Sequence, residues 1–308
     1  MRLLPSGLII DGDPYYSPHI SLSPFHFWSR RRFDNIDDHG MAIFESAFRE
    51  SSWTFVESGK SAISISLSQL NLNRVDEIWF HTSSGNCYVS KCVTEEISKF
   101  CNWSMHKSIK TKAIYVIHEF GRDTRELVID AKVHGLPIIE DSAYGLLTAL
   151  AKNWRFGVAD FSIFSFPKAF EMQFGGILLS NTNIETNTRV ELLDLITRAA
   201  THWVANYKEI AESRMQNFRI LEQRFRSFGH QPTYTFGRNE VPGIFMFDVD
   251  ESVNLVLLKE FLNAHGCEST IFYGRSSYIL PVHQNLRVEH IDYFAELVTY
   301  FTRKDYSV

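Results

Sequence analysis

A chain of 308 residues, 44% hydrophobic and with a formal net charge of −5, can bury one large core and a smaller second one. Its acidic and basic residues are interspersed, which excludes a nucleic-acid groove or a polybasic membrane patch and points to a small-molecule substrate. No apolar run approaches the roughly 20 residues of a membrane span, and the four cysteines make no Cys-x-x-Cys pair or metal-ligand spacing with histidine, so neither a metal site nor a disulfide framework is expected.

The opening MRLLPSGLIIDGDPYY reaches Asp11 and Asp13 too early for a signal peptide, and a cytoplasmic location is the expectation. Residues 1–40, rich in Pro, Ser and aromatics and carrying Arg30, Arg31 and Arg32, read as an arm that packs over the body or over another subunit. From 41 to 185 helices and strands alternate. MAIFESAFRES has the period of an amphipathic helix, VESGKSAISISLSQL is a turn feeding a helix near Gly59, and DEIWFHT is a strand. CVTEEISKFC is helical, KAIYVIHEF a strand, RELVIDAKVHG a helix and LPIIEDSA a strand, followed by the short strands ADFSIFSF and GGILLSN. Such alternation predicts a mostly parallel, doubly wound α/β sheet with ligands bound beyond the carboxyl ends of its strands. Connector helices over 186–228 lead into a small α+β C-terminal lobe at 229–308, read as strand, helix, strand and helix. Cys87 and Cys92 are expected to be reduced and partly buried.

Four features fall at element ends on the ligand side. Ser58, Gly59, Lys60 and Ser61 open a helix, where backbone N–H groups and small residues suit a phosphate, although such turns also occur without a ligand. Glu140 and Asp141 end a strand; a carboxylate there either pairs with a pyridinium N–H or caps a turn. Ser165 and Lys168 lie in FSIFSFPKAFEMQFGG, which fixes an amine beside a hydroxyl. His118 ends KAIYVIH, as a structural histidine or as one beside a cofactor. In the loop HTSSGNCYVS, Tyr88 can stack on a flat ring and Asn86 is the polar alternative.

Taken in order, the phosphate turn, V-I-H-x-x-G, I-E-D-x-A, F-S-F-x-K and Gly-Gly resemble the DegT/DnrJ/EryC1/StrS family, most densely from Thr111 to Ser180. These are fold-type-I aminotransferases dependent on pyridoxal 5′-phosphate (PLP) and acting largely on nucleotide-linked keto-sugars. The resemblance implies that Lys168 is the Schiff-base lysine and Asp141 the partner of the pyridine nitrogen. It makes Ser165 with the Gly59–Ala62 turn the phosphate anchor. It also implies an amino-acid donor such as glutamate, a sugar-nucleotide acceptor for a polysaccharide or glycoconjugate, and a homodimer.

The chain departs from that family at three places. Tyr144 stands where the family often has a Gln that binds the ring hydroxyl; a phenol could take over the role. The family's frequent N-x-R motif, which helps bind cofactor across the dimer, is not matched here to a segment after Gly176. Between Phe100 and Lys112 the segment is so short that an edge strand is expected to be lost. Two other readings stay open: a PLP-dependent deoxysugar dehydratase, disfavoured by the presence of Lys168, and a non-catalytic relative that binds a sugar nucleotide or a partner. Arg275, like Arg30–Arg32, could meet a diphosphate or a donor carboxylate, or be a solvated surface charge.

Overall fold

The structure, a computed structural model, describes residues 19–25, 33–184, 186 and 188–303. Most of the expected arm, including Arg30–Arg32 and the opening segment with Asp11 and Asp13, lies outside the described residues. The chain divides into two compact units, a larger one within 27–208 plus Arg238–Val241, and a smaller one formed by 209–237, 242 onwards and the N-terminal segment. The helices expected as a connector fall on both sides of this division.

In the larger unit the strands are β1 (Ser52–Val56), β2 (Glu77–Thr82), β3 (Asn102–Ser104), β4 (Thr111–Ile117), β5 (Ile138–Asp141), β6 (Phe161–Ser165) and β7 (Gly176–Ser180). They stand in the order β1-β7-β6-β5-β4-β2-β3. Strand β7 is the reversed one, antiparallel to both β1 and β6, and the β2–β3, β2–β4, β4–β5 and β5–β6 pairs are parallel. The helices are α1 (Asp38–Phe48), α2 (Gly59–Ser68), α3 (Lys91–Ile97), α4 (Glu126–Lys132), α5 (Leu146–Lys152), the single turn α6 (Phe166–Ala169) and α7 (Val190–Val204).

Strand β4 explains why the sheet must be covered on both faces. Ala113 and Tyr115 enter one core with Ala62 and Ile63 of α2 and Val93 and Ile97 of α3. Ile114 and Val116, pointing the other way, pack with Val128 and Ala131 of α4. A strand buried on both faces reads as a continuous apolar run, which is what AIYVI is. The mostly parallel α/β sheet expected from the alternation is therefore present.

Two expectations need correction, and one strand went unread. The edge strand is retained: β3 is only three residues long but pairs Asn102–Ser104 with Glu77–Trp79, so the shortened segment keeps its ladder, and an edge this brief limits stray pairing. On the opposite edge, β1 was hidden in SWTFV between a helix pattern and a turn, and its partner β7 is remote in sequence. Cys87 and Cys92 are exposed, on the loop after β2 and the first turn of α3, whereas Cys101 and Cys267 are buried.

The smaller unit holds β8 (Phe245–Asp248), β9 (Thr270–Phe272) and β10 (Ser277–Leu280) in the antiparallel order β8-β10-β9. Most of α8 (Tyr207–Ser227), with α9 (Leu255–Ala264) and α10 (Val288–Arg303), completes it. Phe218, Phe225, Phe245, Phe247 and Phe294 fill its core. The described part of the N-terminal segment belongs here: the N–H groups of His19 and Ile20 both donate to the Gly266 carbonyl.

Candidate active site

Parallel strands deliver their last residues to a common edge, and β5 ends there with Asp141. The carboxylate is buried, 6% exposed. Tyr115 Oη donates to its Oδ2 at 2.8 Å, and the Ala143 N–H donates to Oδ1 at 2.9 Å. Burial pushes the Asp141 carboxyl above its usual range, while the Ala143 N–H, the Tyr115 hydroxyl and the electrostatic influence of His118 and Lys168 pull the other way. Burial, with the adjacent Asp141, holds the Tyr115 phenol well above its ordinary value.

One strand along, Ser165 ends β6 and the chain turns at once into α6. Pro167 sits in the first turn of α6, where its missing N–H costs nothing. That turn carries Lys168, whose Nζ lies 4.9 Å from the centroid of the Tyr144 ring, within cation–π range. Tyr144 meets Phe120 edge-on at 5.5 Å. Phe120 holds a left-handed backbone conformation, φ 58°, which is unfavourable for a bulky residue and places strain beside Tyr144.

The third component is the N-terminus of α2. Ser58 caps it, its Oγ accepting from the Ser61 N–H at 3.1 Å and lying 2.8 Å from Ser61 Oγ. The N–H groups of Gly59 and Lys60 precede any partner inside the helix and carry the positive end of its dipole. A Cβ on Gly59 would lie 3.4 Å from Ser165 Cβ and 3.6 Å from Ser165 Oγ, so the turn and the β6 hydroxyl are neighbours. Gly176 makes the approach possible: a Cβ there would come within 2.4 Å of the Phe164 carbonyl oxygen and 3.4 Å of the Gly59 nitrogen. The Gly175 N–H donates to the Glu57 carbonyl, tying β7 to the end of β1.

The structure thus gathers Gly59, Ser61 and Ser165 into one group and Tyr144 with Lys168 into another, with Asp141 within the electrostatic reach of the lysine. The Lys60 side chain leans the other way, 4.0 Å from Glu95, leaving its backbone N–H facing the turn. His118 is occupied on the opposite side of β5: its Nδ1 lies 2.8 Å from Thr124 Oγ1 and its Nε2 2.9 Å from Glu140 Oε1. Ser162 Oγ donates to the other Glu140 oxygen at 2.6 Å. This is the arrangement of a structural histidine. Tyr88 is half-buried on the loop after β2, whose Ser83 and Ser84 donate to the buried Glu119 carboxylate at 2.5 and 2.9 Å. Arg275, in the smaller unit, lies 3.4 Å from Asp248.

Sequence reasoning missed Tyr115, Phe120 and Glu119. Tyr115 carried a usable signal. It is the one polar-tipped side chain in an otherwise apolar run, and a buried phenol needs a partner. The β4–β5 register, Tyr115 opposite Ile139 and Ile117 opposite Asp141, supplies one diagonally across the sheet.

The fold is shared with solved aminotransferases. The aminotransferase TlmJ from Streptoalloteichus hindustanus superposes with a TM-score of 0.67 at 13% identity, covering 85% of this chain and 90% of that one. A DegT DnrJ EryC1 StrS aminotransferase from Brucella abortus gives 0.64 at 14% identity, covering 88% and 92%. DesI, solved in the presence of its TDP-sugar product, gives 0.65 at 13% identity, covering 94% and 95%. No curated protein sequence matches the chain. Residues 42–217 match the sequence model of a family described as "Putative PLP-dependent aminotransferase". That match runs through more than half of the chain, from α1 into α8, and makes the protein a member of this PLP-dependent aminotransferase family.

Proposed function

We propose that the protein transfers an amino group from an amino acid, glutamate by preference, to a keto-sugar carried on a nucleotide, in the synthesis of a polysaccharide or glycoconjugate. The observation that carries this is the convergence of Lys168, Asp141 and the Gly59–Ser165 cradle along one sheet edge. The structural likeness to DesI, solved with a TDP-sugar product, supports the acceptor class.

The residues present fit PLP. A buried carboxylate, an amine on an aromatic face and a glycine-lined helix N-terminus beside a hydroxyl match a pyridine nitrogen, an aldehyde and a phosphate, respectively. Lys168 would hold the aldehyde, Asp141 the ring nitrogen, and the Gly59 and Lys60 N–H groups with the Ser61 and Ser165 hydroxyls the phosphate. Tyr144, in place of the family's frequent Gln, faces the lysine and would cover the ring hydroxyl. When bound, PLP supplies an electron sink for negative charge at the donor's α-carbon. The chain's own part is proton handling: the Lys168 Nζ amine would carry the proton between the donor's α-carbon and the cofactor's C4′ carbon. Asp141 fixes the charge at the ring nitrogen, and Tyr144 limits where the amine can swing. We place the working enzyme in the cytoplasm as a homodimer, the commonest closed assembly. Among the described residues no helix is long and apolar enough to cross a membrane.

The test is the absorbance spectrum of the purified protein after incubation with PLP, with Lys168→Ala beside it. A visible band that shifts on adding glutamate, recovers with a keto-sugar nucleotide and is lost or altered in the variant is the expected result. No band in either protein would overturn the reading.

A further inference from the structure

We propose that Tyr115 is a positioning residue for the cofactor's ring nitrogen: its hydroxyl keeps the buried Asp141 carboxylate ionised and turned to a single orientation. The inference rests on the PLP reading above and names a residue outside the motifs that led to it.

The argument begins with the cost of burying a carboxylate. A buried carboxyl that lacks compensation takes up a proton, and a neutral one cannot hold a protonated ring nitrogen by charge. Two groups reach the Asp141 carboxylate, the Tyr115 hydroxyl from β4 and the Ala143 N–H from the turn after β5, while His118, after β4 and turned to the other side of β5, and Lys168 on α6 act from further off. Glu140, the next residue on the same strand, is turned to His118 and Ser162. His118 and Lys168 act on Asp141 through their fields, whereas Tyr115 and the Ala143 N–H touch it, one on each oxygen.

Tyr115 suits this task because little about it can move. Its side chain is fully buried in the sheet core, packed edge-on against Phe80 with ring centroids 5.6 Å apart. Burial keeps the phenol protonated through the physiological range, so toward an ionised Asp141 it donates. With Oδ1 taken by a backbone N–H and Oδ2 by a phenol, rotation of the carboxylate would break both bonds. Each oxygen keeps a lone pair for a further donor, which the ring N–H supplies.

The test is a double-variant cycle on the PLP-loaded enzyme: wild type, Tyr115→Phe, Asp141→Asn and both together. Phe keeps the ring packing and removes only the donor. PLP affinity is read by absorbance titration, the ring environment by the pH profile of the visible band, and turnover as kcat and KM separately. Tyr115→Phe is expected to weaken PLP binding roughly 10- to 100-fold, the range for a lost hydrogen bond to a charged group. It should also displace the pH profile and lower kcat more than it raises the donor's KM. In the Asp141→Asn background the same substitution should change PLP affinity less than about twofold, because the charge on which it acts is gone.

Wild-type affinity and an unmoved profile in Tyr115→Phe overturn the inference while leaving the PLP reading intact. An undiminished effect in the Asn background overturns it too, by showing that Tyr115 acts through packing. A wild-type protein that takes up no PLP overturns both.

Discussion

Replacing His118 by Leu is expected to destabilise the fold by about 3–5 kcal/mol, the cost of breaking a buried pair by removing one partner. The side chains of His118 and Glu140 are 0% and 5% exposed, with Nε2 and Oε1 2.9 Å apart. Leu fills much of the space but leaves Glu140 with only Ser162 as a side-chain partner and removes the ring from Thr124 Oγ1. The hydrogen bond to a charged group that is lost accounts by itself for about 1.5–3 kcal/mol. Urea denaturation followed by circular dichroism and tryptophan fluorescence measures the loss; Trp154, whose ring centroid lies 5.6 Å from that of His118, reports from beside it. Pairing His118→Leu with Glu140→Leu supplies the control, since two apolar groups leave no buried carboxylate. The double variant should be more stable than the sum of the single losses allows by about 2 kcal/mol. A loss under about 1 kcal/mol for His118→Leu, or strict additivity in the double variant, would refute the reasoning that this pair is a mutually dependent buried unit.

Asp141 gives a pH prediction whose sign is opposite to that of a salt-bridged carboxylate. Its folded-state pKa is raised, mainly by burial, so in cofactor-free protein its contribution to stability is greatest below the unfolded pKa of about 3.9 and falls as pH rises through the folded value. Asp141→Asn should therefore raise the melting temperature of cofactor-free protein at neutral pH and have little effect near pH 3; a lower melting point at pH 8 would contradict this. Gly176→Ala should cost more than about 2 kcal/mol and weaken phosphate-dependent PLP binding, because its Cβ would meet the Phe164 carbonyl oxygen at 2.4 Å and push β7 away from β6 and the α2 N-terminus. Binding of PLP compared with pyridoxal, which lacks the phosphate, separates the two effects.

The alternation of helix and strand patterns over 41–185 was enough to specify a mostly parallel α/β sheet, because side-chain periodicity and turn residues are local properties of the chain. The element ends that carry Lys168, Asp141 and the Ser58–Gly59 turn were legible for the same reason. Parallel strands bring such ends to one edge. The strand β1 was not legible, since SWTFV has only five residues and becomes a strand by pairing with β7, more than a hundred residues away. Nor was the three-residue β3, which exists through its ladder with β2. His118 and Tyr115 mark the limit most sharply. They are three residues apart in one apolar run, yet one turns to Glu140 on one side of β5 and the other to Asp141 on the other. The sequence by itself determined the alternation of helix and strand in the middle of the chain and which chemical groups stand at the ends of those elements. Only the tertiary structure decided which buried polar group serves which partner, because register and burial are set by strands far apart in the chain.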